Sequence, residues 1–72
     1  MEPETNDPIA ELIIDGLGGT VVVALLCRVD PSAVSQWRKN GIPNYRIDFL
    51  RLARGDWNWS QIPEGYGTRR AA

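Results

Sequence analysis

The stretch Thr20-Val21-Val22-Val23-Ala24-Leu25-Leu26-Cys27-Arg28-Val29-Asp30-Pro31-Ser32-Ala33-Val34-Ser35-Gln36-Trp37-Arg38-Lys39-Asn40 decides how this chain is read. Its register is that of a helix-turn-helix. Ala24 is small where a second helix must pack closely on the first, and Val29 is an apolar plug in the turn. Val34 and Trp37 fall one helical turn apart, on the inward side of the second helix. Asp30 suits an N-cap, its carboxylate accepting from a first-turn N–H, and Pro31 suits the first helical position. Two short helices crossed in this way turn one polar face outward, on the scale of a DNA major groove.

That outward face follows from the helical period. At about 100° per residue, Ser32, Ser35, Gln36 and Lys39 cluster on one side, with Val34 and Trp37 opposite. The first helix of the pair is the weaker inference. Val21-Val22-Val23 is β-branched and suits a strand, and seven residues do not separate a buried strand from a buried helix by period alone. A helix is preferred because Val23, Ala24 and Cys27 then share the inward face, and packing often overrides propensity. Thr20 is expected to cap it.

Outward from this unit, Asp7-Pro8 reads as a helix start. Ile9, Leu12, Ile13 and Leu17 follow at helical spacing, and Gly18-Gly19 stops the helix. After the motif, Asn40-Gly41 ends the third helix. A fourth runs from Pro43 to Arg54, stopping at Gly55, with Tyr45, Phe49, Leu52 and Ala53 as its core stripe and Ile47 and Leu50 projecting elsewhere. Residues 1–6 read as disordered, and residues 56–72 as an irregular tail beyond an ordered core of about 8–55. The expected fold is all-α: one small helix-turn-helix domain of about four helices spanning residues 1–72.

A chain of 72 residues is near the lower limit for a self-sufficient core; it buries roughly 60% of the surface its unfolded form exposes, so help from a second copy is expected. Cys27, the one cysteine, reads as a buried thiol in a reducing, cytoplasmic setting. The acidic N-terminus does not resemble a secretory signal, and the longest apolar run, Val21 to Cys27, is too short to span a bilayer. Net charge is −1, but it is unevenly placed. Residues 1–27 hold five acids and no base (−5), whereas residues 28–72 hold eight bases against four acids (+4). Such a chain can present a basic side to phosphates and hold its acidic side away. An enzyme is not expected: there is no histidine, no cysteine pair, no glycine-rich phosphate loop and no convincing carboxylate pair. Glu11 and Asp15, one turn apart, read as solvated charge. No metal, cofactor or small-molecule substrate is implied.

With the motif in place, Leu17-Gly18-Gly19-Thr20, then Ala24, then Ala33-Val34-Ser35-Gln36-Trp37-Arg38, then Gly41-Ile42-Pro43 resemble the Cro-type phage and prophage repressors of the lambda-repressor-like group. The similarity covers about residues 8–54. It implies an operator-binding transcriptional regulator, a homodimer on a palindromic site, with the third helix as the recognition helix. Relatives usually carry glycine where Arg28 stands, a left-handed turn position that costs a side chain roughly 1 kcal/mol. Many also carry a polar base-reading residue where this chain has Pro31.

On this reading, phosphate contacts fall to Thr20, Arg28, Arg38 and Arg46, and base contacts to Ser32, Ser35, Gln36, Lys39 and Asn40. Gln36 leads the second group, because its amide pairs bidentately with adenine N6 and N7. Trp37 is inward and belongs to the core. Trp57 and Trp59 either cover the core, form the dimer interface with Ile47 and Leu50, or flank a loose tail; the interface is preferred, since exposed aromatics in so small a domain need a partner surface. Arg69-Arg70 reads as terminal sequence rather than a DNA-seeking arm. The rival reading is a protein-interaction module, or an antitoxin that adds a toxin-binding surface to the same fold.

Overall fold

The computed structural model describes residues 6–63, 65 and 66. The expectations for residues 1–5 and for Arg69-Arg70 lie outside them. Helices α1 (Pro8–Leu17), α2 (Thr20–Cys27), α3 (Pro31–Asn40) and α4 (Asn44–Ala53) are followed by a 3-10 turn at Trp59–Gln61. The domain is all-α, and α2 against α3 is its most extensive helix pair.

α1 starts as its sequence requires. Asp7 is the N-cap, and its Oδ1 accepts from the backbone N–H groups of Ile9 (2.9 Å) and Ala10 (3.2 Å), two of the donors a helix start leaves orphaned. Gly18, at φ 126°, ends the helix in a conformation that side chains rarely adopt. The buried face is Ala10, Ile13, Ile14 and Leu17. Leu12, expected inside, is exposed, and Ile9 is half-buried; the core lies toward Ile14.

The Val21-Val22-Val23 run is helical and buries Val23, Ala24 and Cys27. The N-cap is Gly19, not Thr20, and no side chain caps the helix. Its C-terminus closes as a Schellman motif: the Val29 N–H donates to the Ala24 carbonyl (3.0 Å) and the Arg28 N–H to that of Leu25 (3.3 Å). Arg28 is left-handed, at φ 58° and ψ 47°, where glycine would be unstrained. α3 then begins at Pro31 and buries Val34 and Trp37. Asp30 has the extended backbone of an N-cap, but its side chain makes no capping hydrogen bond.

α4 corrects the sequence reading most sharply. Ile47 and Leu50 are completely buried, whereas Leu52 is 85% exposed and Tyr45 and Phe49 also face outward. The arginines explain the choice. Arg46 and Arg54 lie on the same face as Ile47 and Leu50 at helical spacing. Arg46 Nη1 donates to the Cys27 carbonyl (3.4 Å) and Arg54 Nη1 to the Leu17 carbonyl (3.2 Å). These carbonyls belong to the final residues of α2 and α1, which have no partner within their own helices. Turning Tyr45 and Phe49 inward would carry both guanidinium groups away from them.

Ile13, Ile14, Val23, Val34, Ile47 and Leu50, from all four helices, form the fully buried centre. The segment after α4 closes over it. Trp57 lies against Gly16 so closely that a Cβ there would stand 2.5 Å from the indole. Trp59 meets Trp57 edge-on at 4.8 Å, donates from Nε1 to the Arg54 carbonyl (2.8 Å) and lies under the Arg51 guanidinium. Ile62 is buried, and the Tyr66 hydroxyl donates to Asp7 Oδ2 (3.1 Å). Desolvation is the main reason the Tyr66 phenol is pushed up to about 12. Residues 57–62 and Tyr66 are therefore packed structure, although irregular. Among the described residues, no single helix is long and apolar enough to cross a membrane.

Candidate nucleic-acid interface

α3 turns Ser32, Ser35, Gln36, Lys39 and Asn40 to solvent while Val34 and Trp37 hold it to the core. The five proposed base readers thus share the outward side of one helix. Asn40 Nδ2 donates to Gln36 Oε1 (3.3 Å), leaving the Gln36 amide nitrogen pointed elsewhere and one lone pair of Oε1 open. Beside the N-terminal half of the helix is a shallow, open depression lined by Arg28, Val29, Asp30, Ser32, Ala33 and Gln36. The strained turn position therefore sets an exposed guanidinium next to the proposed readers. Asp30 contributes the opposing charge at this edge.

The phosphate-contact candidates divide. Arg28 is exposed. Thr20 is half-buried at the head of α2, and its Oγ1 accepts from Arg38 Nε at 3.0 Å. Arg38 also donates from Nη2 to Asp15 Oδ1 at 2.7 Å, so one guanidinium joins α1, α2 and α3. This hydrogen bond holds the Asp15 carboxyl below the usual carboxylate range and raises Arg38. Asp15 is thus an ion-pair partner rather than the merely solvated charge expected of it. Nothing in the local sequence announces it, because the two residues are 23 apart.

Arg46 is turned inward, with its guanidinium over the Trp37 ring at 5.9 Å and the Tyr45 ring at 5.1 Å. Its Nε is buried with no hydrogen-bond partner. As a phosphate clamp Arg46 is corrected: its charge seats α4 on α2 and Trp37. Arg54, which also pairs with Asp56 at 3.2 Å, and Arg51 are likewise occupied within the molecule. Among the described residues, the arginines of the basic half therefore form no continuous free patch.

The expected dimer interface is corrected as well. Ile47 and Leu50 are the centre of the monomer core and present no surface. Trp57 and Trp59 are half-buried against their own domain, which answers the need for a partner that the sequence implied. The surface left apolar on α4 is Tyr45, Phe49 and Leu52. Cys27 is buried, and burial pushes its thiol up, away from the reactive thiolate.

No protein-family model, curated protein or solved structure matches the chain.

Proposed function

We propose that this protein binds duplex DNA sequence-specifically, laying α3 in the major groove, and serves as a transcriptional regulator of the Cro-like repressor kind. The observation that supports the reading is the outward side of α3: the hydroxyl and amide groups of Ser32, Ser35 and Gln36, with Lys39 beside them, are exposed together on the second helix of the helix-turn-helix pair. Gln36 reads adenine through its amide. Ser32 and Ser35 take base edges or bridging water, and Lys39 and Asn40 take the far end of the site. Arg28 and the head of α2 at Thr20 meet the flanking phosphates.

A palindromic operator calls for a two-fold dimer, and the exposed stripe Tyr45, Phe49 and Leu52 is the apolar surface open to a second copy. The same stripe favours the second reading, a protein-interaction module or antitoxin, in which it receives a different protein. Selecting bound sequences from a random duplex pool separates the two. A regulator yields a palindromic winner with salt-dependent affinity, whereas an interaction module enriches nothing. Gln36→Ala should cost about 1–3 kcal/mol on the winner and relax choice at one base position. Equal losses on winner and random duplex would remove Gln36 as a reader.

A further inference from the structure

Arg38 is held by an anion in the protein's own chain. Its guanidinium donates to Asp15 Oδ1 at 2.7 Å and to Thr20 Oγ1 at 3.0 Å, beside the head of a helix whose first-turn N–H groups have no side-chain cap. Building on the duplex-binding reading, we infer that Asp15 is an intramolecular competitor for phosphate: its carboxylate occupies Arg38 in the free protein and is displaced when Arg38 neutralises the DNA backbone.

The chemistry favours exchange. A carboxylate and a phosphate offer the guanidinium fork equivalent oxygen acceptors. The pair lies at the surface, with the Asp15 side chain 64% exposed and that of Arg38 21% exposed, so solvent screens it and a polyanion has access. Thr20 Oγ1 holds Nε from the other side, which fixes the plane of the guanidinium through the exchange. An aspartate is ionised at neutral pH, and the hydrogen bond from Arg38 favours that charged form, so Asp15 is present as a rival charge. Affinity is thereby set below what the cations alone would provide. Glu11, on the same helix, acts on Arg38 through its charge without a hydrogen bond to it, and so supplies a matched control.

The test is a double-mutant cycle with the full chain and a random-sequence duplex of about two helical turns, titrated at several salt concentrations. Asp15→Asn should tighten binding about three- to five-fold at low salt, the scale of a displaced surface ion pair. That gain should fall to the level of Glu11→Gln in an Arg38→Gln background. Glu11→Gln should give a smaller gain that survives Arg38→Gln. An equal Asp15→Asn gain in both backgrounds would reduce Asp15 to general repulsion and overturn the inference, as would no gain in a variant with unchanged melting temperature. The wild type offers a second readout that needs no substitution: duplex addition should shift the Arg38 Nη–H resonances, whose acceptor changes from Asp15 to phosphate, and stationary signals in a bound complex also overturn the exchange. Duplex binding without Asp15–Arg38 coupling rejects the competitor alone. Absence of binding by both wild type and Asp15→Asn rejects the competitor and the DNA reading together.

Discussion

α3 and α4 are each ten residues long, yet they face the core on opposite principles. α3 has one apolar pair, Val34 and Trp37, and buries it. α4 has two apolar stripes, and buries the shorter. Ile47 and Leu50 go inside, while the aromatic stripe Tyr45, Phe49 and Leu52 stays in water. The difference teaches that a helix with one apolar side has one way to lie on a core, whereas a helix with two is oriented by its neighbours. On α4 the deciding contacts are polar, since the orphan carbonyls of Cys27 and Leu17 recruit Arg46 and Arg54 and set the helix's rotation.

The sharpest way to break this comparison is on α4 itself. Ile47→Ala should destabilise the fold by about 2–5 kcal/mol in urea unfolding, through lost transfer energy and a cavity. Leu52→Ala should fall within about 0.5 kcal/mol of wild type, as for other exposed sites. The reverse ranking would mean that α4 is rotated the other way. A smaller effect is expected where the tail meets α1. Gly16→Val should cost about 1–3 kcal/mol, because the added carbons collide with the Trp57 indole and force it off its seat. Tryptophan emission should move to the red as the ring enters water; unchanged melting and emission would detach the tail from the domain. The smallest effect concerns the turn that launches α3. Arg28→Gly should raise folding stability by about 0.5 kcal/mol, since relief of left-handed strain is partly offset by the entropy of glycine in the unfolded chain. The same change should weaken duplex binding, and opposite signs in the two assays would place Arg28 on the side of function rather than folding.

Much of the fold was legible because its signals are local. Asp7-Pro8 starts α1, Gly18-Gly19 stops it, and the α2–turn–α3 unit obeys the spacing of Ala24, Val29, Val34 and Trp37. The outward set on α3 was legible for the same reason, since a period and one inward pair suffice. Local reasoning failed where a residue's partner is distant in sequence. Thr20 and Asp30 have the composition of N-caps, yet Thr20 serves as an acceptor for Arg38 and Asp30 makes no cap. Gly16 lies within α1 with no local signal to mark it, and its purpose emerges only with Trp57 laid on it. Charge was the least legible property: counting put a basic half beside an acidic half, but Arg38, Arg46, Arg51 and Arg54 are engaged within the fold.

Sequence alone determined where the helices begin and end to within a residue or so, and which face of α3 is polar. Those properties depend on caps, breakers and a 3.6-residue period, all encoded within a few neighbouring positions. Tertiary structure alone decided which stripe of α4 is core, which arginines remain at the surface and what the tail covers. Each of these is a competition between interactions of similar strength at long sequence separation, and only the assembled helices bring the winning partner within reach.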